Sequence, residues 1–105
     1  MNVPEKHRVL RETLRHYLEF RAYCTSHGVW EIESQGVRIN FLDLRDCLAG
    51  LSKRKKEAVY WNVIRDYKQK DVAEIMEITT GSVNQYVEQG MLQIAQSLWP
   101  DERGE

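Results

Sequence analysis

The chain has 105 residues, of which 42% are hydrophobic and 30% charged, and its formal net charge is −1. That length suits one domain with a real core, spanning residues 1–105, and the composition is ordinary for a soluble globular protein. No apolar run approaches the ~20 residues needed to cross a bilayer, and Met1-Asn-Val-Pro-Glu-Lys-His-Arg lacks the apolar segment of a secretion signal, so no membrane is expected and a cytoplasmic location is.

Only two prolines and six glycines interrupt Val, Ile and Leu interleaved with Lys, Arg and Glu, which favours a mostly α fold. Residues 4–25 read as a first helix, with Pro4 suited to its first position and Glu5 near the positive end of its dipole. Leu10, Leu14, Tyr17, Leu18 and Arg21 trace a stripe at helical spacing, with Val9 at its edge. This stripe is core by default, although an exposed remainder could take a partner helix. Gly28 ends or follows the helix. The period then changes. Val29-Trp-Glu-Ile-Glu and Val37-Arg-Ile-Asn-Phe alternate about Ser34-Gln35-Gly36, which suggests a short β-hairpin with one face packed on the helices.

Asn40 with Asp43 resembles a helix start, Leu44, Leu48 and Leu51 supply its apolar positions, and Gly50 breaks it. Ser52 caps a longer helix reaching about Asp66. In it Val59 with Val63, and Tyr60 with Ile64, repeat at i+4 as core positions, Trp61 flanks them and Asn62 points to solvent. Two further helices are expected at 69–76 and 80–98. Val72, Ala73 and Met76 share a face of the first, Ile78 occupies the turn, and Thr79/Thr80 cap the second, where Val83 and Val87 repeat at i+4. Ala73 is small where the two would cross. This is the pattern of a helix-turn-helix, whose second helix usually enters the DNA major groove. Gly90 inside the long helix costs ~1 kcal/mol relative to Ala and points to a close helix contact. Pro100 and the polar tail Asp101-Glu-Arg-Gly-Glu end the fold.

The small net charge conceals an asymmetry. Residues 51–70 hold seven basic residues (Lys53, Arg54, Lys55, Lys56, Arg65, Lys68 and Lys70) against Glu57 and Asp66, whereas residues 71–105 set only Arg103 against seven acids. A polyanion would meet the first segment and avoid the second. Cys24 and Cys47 lack the spacing of a metal site or a disulfide framework and read as buried free thiols. His7, His16 and His27 are scattered and expected to be solvent-exposed, so no metal site is expected. Trp30, Trp61 and Trp99 suit core or interface anchors better than base-stacking platforms. There is no Gly-rich phosphate loop, no paired carboxylates in a recognisable setting and no nucleophile motif, so no catalytic residue, cofactor or enzyme activity is expected.

From Leu51 onward, Leu-Ser-Lys-Arg-Lys-Lys-Glu-Ala-Val followed by Asp-Val-Ala-Glu-Ile-Met-Glu-Ile-Thr-Thr-Gly-Ser-Val-Asn-Gln-Tyr resembles the region-four domain of bacterial sigma factors, with a leucine, a small capping residue, a basic helix and a helix-turn-helix in that order. The resemblance covers residues 51–99 and leaves 1–50 as an N-terminal helix, hairpin and short helix. It implies that Ala73 is the small residue of the first motif helix and that Ile78 and Val83 are the apolar positions of turn and recognition helix. Glu77 stands where many relatives have Gly, which a left-handed backbone would strain. Gln85 matches a position that is often Gln and can face base edges.

On this reading Thr80, Ser82, Asn84, Gln85 and Gln89 face the groove, where Asn and Gln can pair bidentately with adenine. The family's recognition helix usually carries Arg or Lys and this one does not. Phosphate attraction must therefore come from Lys53, Arg54, Lys55, Lys56, Lys68 and Lys70, and an isolated monomer should bind weakly. The implied function is a small phage or bacterial transcription regulator, a detached region-four look-alike that binds double-stranded DNA. The alternatives are a module that docks on RNA polymerase or a sigma factor, motivated by the acidic 71–105 segment, and an oligomeric phage DNA-packaging adaptor.

Overall fold

The computed structural model describes residues 3–100, with side chains from Glu5 onward; the polar tail from Asp101 lies outside them. Six helices and one hairpin occur among the described residues, in the order α1 (Val3–Arg15), α2 (Tyr17–His27), β1 (Glu31–Ser34), β2 (Val37–Asn40), α3 (Phe41–Ala49), α4 (Lys53–Val59), α5 (Gln69–Met76) and α6 (Thr80–Leu98). A π-helical turn, Tyr60–Ile64, extends α4. The expected mostly α fold with a helix-turn-helix and a short hairpin is what forms.

The first expected helix is two. Thr13 Oγ1 donates to Val9 O at 2.8 Å, a back-bond that bends helices. The His16 N–H then splits between Glu12 O and Thr13 O at 3.3 and 3.2 Å, and His16 leaves helical geometry (φ −107°, ψ 28°). The break re-aims everything beyond it. Val9, Leu10 and Leu14 are buried as the stripe requires, but Leu18 is 48% exposed and Arg21 is exposed too. Phe20 and Cys24 take the core positions of α2 instead. Gly28 closes the helix at φ 66°, its N–H bonded to Cys24 O.

The hairpin pairs antiparallel with Ser34 opposite Val37 and Glu31 opposite Asn40. Gln35 (φ 51°) and Gly36 (φ 79°) form its two-residue turn, and left-handed geometry at both positions matches the twist of the strands. Val37 and Ile39 face the core and stabilise a pair that would be marginal alone. Trp30, just before β1, remains 42% exposed and rests on Phe41 with ring centroids 6.3 Å apart, so of the two expected roles, core or interface anchor, it does not take the first. Trp61 and Trp99 do pack against the core, half-buried.

Asn40 caps α3, its Oδ1 accepting from the Asp43 N–H at 3.0 Å. Leu44 and Leu51 are buried and Leu48 half-buried. Ser52 Oγ accepts from the Lys55 N–H at 3.5 Å at the start of α4. The expected helix to Asp66 does not stay α. The Arg65 N–H bonds to Tyr60 O at 2.8 Å, five residues back, and that wider winding shifts the side-chain register. Val59 and Val63 stay buried, but Tyr60 is exposed. Asn62 is half-buried rather than solvent-facing, because its Nδ2 donates to Tyr67 O at 2.8 Å and ties down the loop that follows.

Helix α6 is the axis of the molecule, with α1, α3, α4 and α5 all packed on it. Gly90 is what lets α4 come close: a Cβ there would lie 2.8 Å from Val59 Cγ2. Cys24 is a buried free thiol as expected, whereas Cys47 is only half-buried. Burial raises the pKa of both; at Cys47 a hydrogen bond with Ser97 partly offsets the rise and Asp43 and Asp46 add to it. His16 and His27 are exposed, and His7 is half-buried between α1 and α6. No helix of the described residues is long and apolar enough to cross a membrane.

Candidate nucleic-acid interface

Helices α5 and α6 are joined by a turn that every local group helps to close. The Ile78 N–H bonds back to Ala73 O at 3.0 Å and the Glu77 N–H to Glu74 O at 3.3 Å, a pair of bonds that satisfies the last carbonyls of α5 and requires a left-handed residue between them. Glu77 is that residue, at φ 58° and ψ 45°. Arg54 reaches across from α4 and donates to Met76 O at 3.3 Å. At the start of α6 Thr79, not Thr80, is the cap: its Oγ1 accepts from the Ser82 N–H at 3.0 Å and donates to Ser82 Oγ at 2.9 Å. Val72, Ala73, Met76, Val83 and Val87 are buried between and beneath the two helices. The recognition helix is thus fixed at its cap, along its inner face and at its crossing with α5.

Its outward face presents amides. Gln85 and Gln89, four residues apart, are both exposed, as are Thr80 and Asn84. Their environments differ. Asn84 Oδ1 accepts from Gln69 Nε2 at 3.1 Å, so Asn84 is already tied to the start of α5, and half-buried Ser82 is held in the cap. Gln85 and Gln89 have no hydrogen bond to any other described side chain. Two features of this face escaped the sequence reading. Gly81, four residues before Gln85, is exposed, and a Cβ there would approach only Thr79 Oγ1, at 3.9 Å. No packing requires this glycine, so it leaves bare backbone beside Gln85; its register on the outer face was readable. Glu88, three residues after Gln85, is exposed and places a negative charge on the same side of the helix. The Gln69–Asn84 bond left no sequence signal, because it depends on how α5 crosses α6.

The basic residues do not form one patch. Lys68 and Lys70 are exposed and flank Gln69 at the start of α5. Lys53 is exposed, and Arg54 lies against the motif turn. Lys55 is half-buried and donates to Gln93 Oε1 at 3.1 Å, bracing α4 on α6. Lys56 stands apart, in a groove with Tyr17, Leu18 and Arg21. Among the described residues no cluster of His, Cys, Asp or Glu could hold a metal ion.

Comparison with known proteins yields one family: the model of sigma-70, region 4, matches residues 41–94. No curated protein and no solved structure matches the chain. The match begins at Phe41, ten residues before the point from which the resemblance was read, and so includes α3. It ends at Ile94, with α4, the α5–α6 motif and most of the recognition helix inside it. Half the chain falls within that match, and its helix-turn-helix geometry agrees with it: the chain belongs to the sigma-70 region 4 family of DNA-binding helix-turn-helix domains.

Proposed function

We propose that this protein is a transcription regulator acting as a detached region-four domain, and that it reads double-stranded DNA through the outward face of α6. The observation that carries this reading is the pair of exposed amides, Gln85 and Gln89, on a helix fixed by its Thr79 cap and its buried inner face. A glutamine whose amide is not engaged elsewhere can offer donor and acceptor together to an adenine edge, worth ~1–3 kcal/mol of discrimination per good pair. Asn84 must first give up Gln69, so its contribution is smaller. Thr80 and Ser82 flank the entry of the helix. Lys68 and Lys70, with Lys53 and Arg54, are the phosphate contacts, and they position the helix without reading sequence. Glu88 opposes approach to a polyanion, which keeps the affinity of the isolated domain low. The protein then works in the cytoplasm, where its DNA lies.

Filter binding on a site selected from random duplexes tests these roles. Gln85→Ala should flatten the preference at one position of the site, and Asn84→Ala should do so less. Unchanged preference in Gln85→Ala refutes the assignment. Lys68→Ala and Lys70→Ala should weaken all sequences equally, each lowering the log–log salt slope by ~0.9.

A second reading has its own support. The recognition helix carries no basic residue, and residues 71–105 are strongly acidic. Sigma region 4 domains also bind the RNA polymerase core, and a domain of this kind could act chiefly through that partner. Capture of polymerase subunits together with no DNA affinity at low salt would favour it.

A further inference from the structure

One surface lies outside the DNA-reading face. A groove of about 380 Å³ runs between α2, α3 and the α4 π-turn, lined by Tyr17, Leu18, Arg21, Leu48, Lys56, Tyr60 and Ile64. Neither α5 nor α6 contributes to it. Its floor is aliphatic, from Leu18, Leu48 and Ile64. Leu18 is there because the break at His16 turned it out of the core. Its charged lining residues are both cations, Arg21 and Lys56, and both are exposed. Neither side chain has an acidic partner among the described residues, whereas Glu12 and Glu19, close in sequence, are paired with Arg15 and His16.

We propose that this groove docks an acidic amphipathic segment of a partner protein, whose apolar side chains cover Leu18, Leu48 and Ile64 while its carboxylates meet Arg21 and Lys56. Charge complementarity selects the occupant. An apolar floor with unpaired cations at its edge rewards aliphatic anchors flanked by Asp or Glu, in the manner of a helix laid in a groove. A small polar ligand would need convergent buried polar groups to fix its orientation, and no buried side-chain nitrogen or oxygen is left without a partner among the described residues. Duplex DNA could use the cations but not the aliphatic floor. Lys56 is therefore assigned to this groove rather than to phosphate, and it docks a partner while α6 remains free for DNA.

The test is a fluorescence-anisotropy titration with a labelled helical peptide bearing Leu at i, i+4 and i+7 and Glu between them. A second peptide carries Lys in place of each Glu. The acidic peptide should bind saturably and the basic one should not. Arg21→Glu with Lys56→Glu, both at exposed positions, should weaken the acidic peptide roughly tenfold or more, and Leu18→Asp should abolish binding with the circular dichroism spectrum unchanged. Lys68→Glu should leave the peptide unaffected. No binding of the acidic peptide, or equal binding by the Arg21→Glu/Lys56→Glu protein, overturns the proposal. So does a Lys56→Glu variant that loses DNA affinity and keeps the peptide. Failure of the DNA-reading proposal would appear separately, as a sequence preference that Gln85→Ala leaves unchanged, with peptide binding intact.

Discussion

The two halves of this molecule are held in shape by different means. From Phe41 to Leu98 three of the four helix starts are fixed close by in sequence, α5 being the exception: Asn40, Ser52 and Thr79 each accept a hydrogen bond from the backbone three residues on. From Val3 to His27 the helix leaves helical geometry at His16, after which it restarts with a different face inward. A capped segment keeps its register wherever it packs. A broken helix takes its register from what it packs against, here Phe41, whose ring meets Tyr17 at 5.5 Å and Phe20 at 5.3 Å between centroids. The first half therefore holds the freedom to turn out a side chain such as Leu18, and the second holds the precision needed to present Gln85.

The largest effect expected from this difference is in α1. Leu14→Ala removes a fully buried side chain and should cost about 2–5 kcal/mol in a chemical denaturation experiment. Leu18→Ala, four residues later on the same sequence stripe, should stay within ~0.5 kcal/mol because the break has exposed it. Equal losses would mean that α1 and α2 are one continuous helix. Next comes Gly90→Ala. Helix propensity favours alanine by ~1 kcal/mol, but its Cβ would collide with Val59, a buried β-branched side chain with little room to turn. A net loss of roughly 1–3 kcal/mol is expected, and a stabilised variant would show that α4 does not lie against α6 at this point.

Smaller and of opposite sign is Glu77→Gly. A non-glycine residue in the left-handed region costs ~1–2 kcal/mol, part of which returns as chain entropy in the unfolded state, so a gain of up to about 1 kcal/mol should appear as a raised melting temperature. The smallest effect is chemical. Burial holds both thiol pKa values above the ordinary range, so thiolate is scarce at neutral pH and becomes more abundant as pH rises. Half-buried Cys47 should alkylate slowly and faster at alkaline pH, while Cys24 should react only on unfolding. Rapid modification of Cys24 in the native protein would contradict its placement.

The motif half was legible because its signals are local. Val72, Ala73, Met76, Val83 and Val87 lie at spacings that only one helical register satisfies, and the caps announce themselves by residue type. Glu77 was readable as a strained position only through the family resemblance, because many relatives have Gly there. The hairpin was equally plain from its alternation and its Gln35-Gly36 turn. Illegible features depended on contacts distant in sequence or on competing backbone bonds. The expected Tyr17–Arg21 stripe assumed unbroken 3.6-residue winding, which stops at His16. Tyr60 was read as core because a π-turn leaves no mark in side-chain periodicity. On the candidate interface the sequence supplied the residue types but not their engagements: that Asn84 is tied to Gln69, or Lys55 to Gln93, follows from how α4 and α5 pack on α6.

Whether α6 meets DNA with its amide face is tested most directly by nuclear magnetic resonance on isotope-labelled protein titrated with a selected duplex. Amide and side-chain shifts should concentrate at Gly81, Gln85 and Gln89 and at Lys68 to Lys70, leaving Leu18, Arg21 and Lys56 unmoved. Shifts confined to α2, α3 and the Lys56 groove, with Gln85 and Gln89 silent, would contradict a DNA-reading α6.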